Sequence, residues 1–368
     1  KAPRLILTSG LIVVLIGAYG LSDLNVEVNI KSFFSQDHAI PKSLTFLDEE
    51  MVGSMDYTFR IEGDLKDPQT LKKMVLLQEY MEEHPKISIS ISIADIIKQM
   101  HRTIMDDDPV FETIPDERDK VNNLFTMYSM SGDPDDFSSL VNYDYTVGLV
   151  TVMSKNMSTQ AAETYVGEVN KFIKREINGE MEITTTGMLP VLGDMVDMVV
   201  SSSFRSIFAS IIMVSLIAGF FFRRFGWGVL AVIPLSSAVI LNFGFMGLFN
   251  IDLNHVTAVL SSVIIGVGVD FAIHYISQYR RSVKTVKDPN ILGREVIDEV
   301  GYPIVLDALS NMAFAALLFS QFLPVRHMGG LMVFAMLSTS VGTLTLLASV
   351  MELLRRNKKI YNRLIRGN

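Results

Sequence analysis

The chain contains no cysteine. A disulfide framework and a thiolate metal centre are both excluded, and the redox character of its compartment stays open. Histidine is scarce too: six are scattered along the chain, with no Ser-His-Asp or metal-ligand spacing among them. No Gly-rich loop closes on Gly-Lys-Ser or Gly-Lys-Thr, so a phosphate cradle for ATP is missing from the motifs. Basic charge is short, with 32 Lys and Arg against 40 Asp and Glu. The resulting pI near 5.3 argues against a nucleic-acid partner, which would want a basic face.

Apolar sequence is abundant instead. Mean hydropathy is +0.33, and 49% of residues are hydrophobic while 20% are charged, too many charges for membrane spans alone. The charges are segregated. Residues 23–200 carry a net −17 and the remainder a net +9. The pattern predicts one acidic soluble domain set into a basic, apolar frame.

The frame reads as six spans. Arg4 precedes an apolar run, Leu5 to Leu21, which passes straight into Asp23-Leu24-Asn25-Val26-Glu27-Val28 with no small-residue cleavage site. A retained first span over 1–22 is expected rather than a signal peptide. From Met188 a helical pattern continues into Ile207–Phe222 and stops at Arg223-Arg224. A third run covers Trp227–Phe249, and Asn250-Ile-Asp-Leu-Asn254 connects it tightly to a fourth, Val256–Ile276. An amphipathic stretch near Gly293–Val300 leads to a fifth run (Pro303–Leu323) and a sixth (Met328–Leu354). Spans two to six therefore occupy 201–354, and 355–368 form a basic tail. Lys1/Arg4, Arg223/Arg224, Arg280 to Arg294 and Arg355 to Arg366 all fall on one side under six spans. That side is the cytoplasmic one by the charge bias of membrane loops, so both termini are expected inside and the domain at 23–200 outside.

Within the acidic block, Tyr57–Ile61, Ile87–Ile93, Thr146–Met153 and Met181–Thr186 read as strands. Helical patterns cover 67–83, 116–130 and 158–177. Strand–helix–strand occurs twice, which predicts an inserted α+β domain of the split βαβ, ferredoxin-like kind. The run Asp106-Asp-Asp108 reads as a solvated loop edge, not a metal site.

The fourth run holds Asp270, about 20 Å from its start at 1.5 Å per residue. A carboxylate at such depth costs about 2.5–3.5 kcal/mol by insertion scales. Steps of four place Ser262, Gly266, Asp270 and His274 on one helix face. Gly268 adds a further small residue for helix packing. An intramembrane acid on a small-residue face is a functional-site hypothesis by default; the alternative is an aspartate that only hydrogen-bonds a neighbouring helix, a task asparagine performs at lower cost. Met188, Met195 and Met198 lie on the helix leading into the second span. Their flexible thioethers suit an adaptable hydrophobic path, and core packing or lipid contact explains them equally well.

One span, a large α+β insertion and five closely spaced spans resemble the repeat unit of the resistance–nodulation–division (RND) superfamily. Gly266-Val-Gly-Val-Asp270-Phe-Ala-Ile-His274 with Tyr279-Arg-Arg281 is similar to the fourth-span motif of MMPL-type exporters, relatives of Patched-like and sterol-sensing proteins. Asp307-Ala-Leu-Ser-Asn-Met312, Phe319-Ser-Gln-Phe-Leu-Pro324, Arg326-His-Met-Gly329 and Thr186-Gly187 support the match. The resemblance implies a secondary transporter, not an enzyme. It would export lipids or other hydrophobic molecules across the inner (cytoplasmic) membrane, driven by the proton gradient without a cofactor, the insertion acting as a porter domain. Asp270 would carry the proton; His274, one turn nearer the cytoplasm, is either the group that releases it or an interfacial histidine with no role. Many relatives have Asp-Tyr where this chain has Asp270-Phe271, so Asn311 and Ser310 of the fifth span are the candidate partners of the acid. Superfamily chains usually carry two repeats and this one carries one, which implies a homodimer or a second RND half. A lipid- or sterol-sensing scaffold without transport, and a protein-export accessory subunit, are the competing readings.

Overall fold

The computed structural model describes residues 3–131, 139–177, 181–286 and 291–357. The tail beyond 357 lies outside them. Contacts divide the chain into two units: Lys1–Val28, Ser32–Phe34 and Asp197–Asn368 form one, and Asn29–Lys31 with Ser35–Val196 form the other.

The second unit is built on a four-stranded sheet: β1 Met55–Glu62, β2 Ile87–Ser92, β3 Val147–Ser154 and β4 Glu182–Thr186. The order is β2-β3-β1-β4 and each neighbouring pair is antiparallel. Helix Pro68–Glu82 joins β1 to β2 across β3, and Thr159–Phe172 joins β3 to β4 across β1. Alternation along β1 turns Tyr57, Phe59 and Ile61 inward, where β3 sets Val152 and Val150 beside the first two. Leu71, Met74, Leu77 and Met81 of the first crossover helix close the core with no exposure to solvent. Both crossover helices start where the chemistry says they should. Asp67 accepts from the Gln69 amide ahead of Pro68, and Ser158 accepts from the Ala161 amide.

Strand β2 inverts the usual polarity. Ser90 and Ser92 are buried, whereas Ile89 and Ile91 are 37% and 44% exposed. The serines face inward because their hydroxyls have partners there. The Gln78 amide donates to Ser90 Oγ (2.9 Å), Ser92 donates to Gln78 Oε1 (2.7 Å), and Ser90 donates to Glu82 (2.6 Å). Ser92 also forms a capping box with Asp95 that opens helix Ile93–Ile104 directly at the strand end.

Among the described residues six helices are long and apolar enough to cross a membrane: Pro3–Asp23, Met188–Phe221, Phe225–Leu248, His255–Thr285, Leu292–Phe319 and Leu323–Arg356. They are the first to sixth spans below. The fifth differs from expectation at its start, since the amphipathic stretch and the span are one helix from Leu292 to Asn311, with Pro303 inside it, continued as a 3-10 turn over Met312–Phe319. The sixth starts at Leu323 rather than Met328 because Pro324 sits in the first turn, where its missing N–H goes unneeded. Spans one and three meet backbone to backbone. A Cβ at Gly244 would lie 2.0 Å from the Gly17 carbonyl oxygen, and one at Gly247 would lie 1.8 Å from that of Gly20, so neither site has room for a larger residue. Asn242 of the third span donates to the Leu331 carbonyl of the sixth (3.0 Å), while its buried Oδ1 has no partner among the described residues.

Candidate functional site

The fourth span is fixed at its start by Asn254. Its side chain accepts from the Val256 and Thr257 amides (3.0 Å each), and Thr257 Oγ1 accepts in return from the Asn254 amide (2.9 Å). That cap sets the rotation of the helix. Ile264, Gly268, Phe271, Ala272, Tyr275 and Tyr279 then face the bundle and are buried. A Cβ at Gly268 would lie 2.7 Å from Thr339 Cγ2 and 2.8 Å from Leu235 Cδ2, so this glycine is what lets spans three and six approach.

The opposite face is open. Gly266, Asp270 and His274 are exposed and Ser262 is half-buried. Ser262 Oγ lies 2.5 Å from Ser206 Oγ of the second span. A Cβ at Gly266 would meet nothing within 4 Å. Asp270 and His274 have neither a hydrogen-bond nor an ion-pair partner among the described residues. An acid expected to be buried in its own bundle thus stands on the outside of it.

The expected partners of Asp270 are not joined to it. The Asn311 amide donates to the carbonyl and to Oδ1 of Asp307, both at 3.1 Å, one turn back on the same helix. Ser310 is exposed. An i, i+4 pair on one helix satisfies the amide locally, which removes its need for a partner across helices. Phe271 is fully buried, so the side chain at this position points into the bundle and away from the face that carries Asp270. Met188 and Met198 are 38% and 65% exposed, and Met195 is half-buried.

The structure adds Asp307, a second acid inside a span. Asp270 precedes Thr285, the end of its helix, by 15 residues, and Asp307 follows Leu292, the start of the next, by 15. Each acid therefore lies about 22 Å along its helix from the connection between the two. The sequence signal was an Asp-x-x-x-Asn pair in an apolar run. At the other end of the fourth span, Asp252 sits in the connecting loop beside a short pairing of Val26 with Leu253. Burial, and then the nearby Glu27 carboxylate, push its pKa up.

The family model of the MMPL family matches residues 62–365. The chain belongs to the MMPL family. A candidate membrane protein of Methanocaldococcus jannaschii is 23% identical over 370 residues, which cover 97% of this chain and 92% of that protein. Among solved structures, the hedgehog release protein Disp of the water bear Hypsibius dujardini superposes with a TM-score of 0.60 at 13% identity. That match covers 95% of this chain and 49% of the other, so the chain spans about half the length of this structural relative. The likeness at that identity is one of fold. This MMPL-family chain is accordingly a multi-pass membrane protein of RND type.

Proposed function

We propose that the chain is one half of a proton-driven exporter of lipids or other hydrophobic molecules, completed by a second copy of itself. The observation that carries this reading is the open face of the fourth span, where Gly266 leaves a gap beside an unpartnered Asp270. A structural relative twice as long and a curated relative matched over 92% of its own length support it. This chain matches about half the length of the first and nearly the whole length of the second. A two-fold axis along the fourth span would let the same patch cover itself.

Covering the face links packing to protonation. An ionised Asp270 closed off from water costs about 2.5–3.5 kcal/mol, and the protonated form removes that cost. The tightly packed arrangement is thereby favoured when the proton is bound, and a gradient can drive a cycle between tight and loose packing. A proton shifts this equilibrium only by its differential affinity for the two states. His274, one turn along, is the release group. The four-stranded unit lies on the extracytoplasmic side and acts as the porter domain.

The test is Asp270→Asn in sealed proteoliposomes carrying a pH-sensitive dye. The wild type should move protons when a gradient and lipid cargo are present, and the variant should fold, insert and move none. Equal proton flux in both proteins would overturn the assignment of Asp270. Absence of flux in the wild type would favour a lipid sensor.

A further inference from the structure

The geometry points to a binding site for one anionic phospholipid, with its acyl chains in a groove between the second and third spans and its headgroup on Arg223 and Arg224. The groove encloses about 520 Å³ and is lined by Ile211, Ser215, Leu216, Phe225 and Val229, among others. Its volume is in the range of small-molecule sites. The two helices touch backbone to backbone beside it: a Cβ at Gly228 would lie 1.9 Å from the Ser215 carbonyl oxygen. Beyond Phe225 the groove meets a second hollow of about 660 Å³ lined by Gly219, Phe220, Phe221, Arg223 and Arg224. Phe220, Phe221 and Phe225 are 88%, 65% and 62% exposed, aromatic surface that a lipid would cover.

The charges identify the ligand. Arg223 and Arg224 have no carboxylate partner among the described residues, in contrast to Arg355 and Arg356, which both bond Glu352. Arg280 stands nearby, its guanidinium 5.2 Å from the Phe222 ring and 5.7 Å from the Trp227 ring. Arg223 is held at φ 58°, a conformation that glycine adopts at lower cost. Arg224 caps the third span without a side-chain hydrogen bond; the Trp227 amide turns back to the Arg224 carbonyl (3.2 Å), and the Phe225 and Gly226 amides are left for the same phosphate. Basic pockets between spans recruit anionic headgroups on general electrostatic grounds. The site lies off the acid-bearing face, so it stands whether or not the transport reading does.

The experiment is native mass spectrometry of the purified chain equilibrated with equal amounts of phosphatidylglycerol and phosphatidylcholine. One phosphatidylglycerol should be retained in preference. Each arginine contributes about fivefold, so Arg223→Gln with Arg224→Gln should lower the preference about thirty-fold. Val229→Trp should fill the groove and abolish retention with both arginines present. Equal retention of the two lipids by the wild type, an unchanged preference in the double variant, or unchanged retention in Val229→Trp would each overturn the site. Should the double variant fail to fold, raising salt from about 0.1 to 1 M on the wild type decides, because the screening length falls from about 10 to 3 Å. Preference should drop with salt, and a salt-independent preference overturns the headgroup assignment.

Discussion

Gly266 and Gly268 are two residues apart on one helix, yet leucine at each should fail in different ways. At Gly268 a Cβ would lie 2.7 Å from Thr339 and 2.8 Å from Leu235, closer than real side chains come. Overpacking of this kind costs about 1–3 kcal/mol or more, so Gly268→Leu should lower the thermal stability of the chain itself. At Gly266 a Cβ meets nothing within 4 Å. Replacing glycine in a helix even adds about 0.8–1 kcal/mol of propensity, so Gly266→Leu should leave the single chain as stable as before. If a second copy packs on this face, however, the new side chain must be accommodated between two helices. The same overpacking range then weakens association about five- to 150-fold. The assay pairs thermal unfolding with the fraction of fluorescence energy transfer between differently labelled copies at falling protein-to-lipid ratio. The reasoning is refuted if Gly266→Leu associates like the wild type, or if it destabilises the chain as much as Gly268→Leu does.

Three further outcomes are expected. Ile91→Ser should change stability by less than about 0.5 kcal/mol despite its place in an alternating strand, whereas Phe59→Ala should cost about 3–5 kcal/mol; thermal unfolding of the two variants checks both. Because burial and Glu27 raise the Asp252 pKa, the folded chain holds this proton more tightly than the unfolded one. Stability should therefore rise as pH falls from neutral through the raised pKa and level off below the unfolded value of about 3.9; Asp252→Asn should remove that slope, and a melting series from pH 4 to 8 in wild type and variant measures it. The absence of native cysteine allows single cysteines at Ser158 and Thr285 to be read without background. An impermeant maleimide on intact cells should label the first and spare the second, and the reverse pattern would invert the proposed orientation.

Much of the architecture was legible because two solvents act on this chain. In the water-exposed unit, alternation and caps placed β1, β3, β4 and both crossover helices to within a few residues, since burying Tyr57, Phe59 and Ile61 while wetting Thr58 and Arg60 leaves one register. Strand β2 shows the limit. Its period of two was plain, but which set faced inward was not, because Ser90 and Ser92 are drawn in by Gln78, Glu82 and Asp95, which lie outside the strand. Helix Ile93–Ile104 was missed for a related reason: Ser92 ends the strand and caps the helix at once, leaving no loop to mark the change.

The fourth-span face was legible in membership and not in direction. Steps of four along the fourth span correctly group Ser262, Gly266, Asp270 and His274, because helix geometry alone decides that. Whether their face meets lipid, its own bundle or another chain is a different question. In water, the apolar side of a helix marks the core. In a bilayer the surroundings are as apolar as leucine, so hydrophobicity no longer tells inside from outside. Small residues mark close contact without naming the contact: Gly268 serves the chain's own spans, while Gly266, two residues earlier, serves none of them. Asp307 was passed over on the same grounds. With the fifth span read from Pro303, it fell one turn from the end, where an acid is cheap. The helix that begins at Leu292 puts it 15 residues along a continuous helix instead, as far from the connection as Asp270 is along its own.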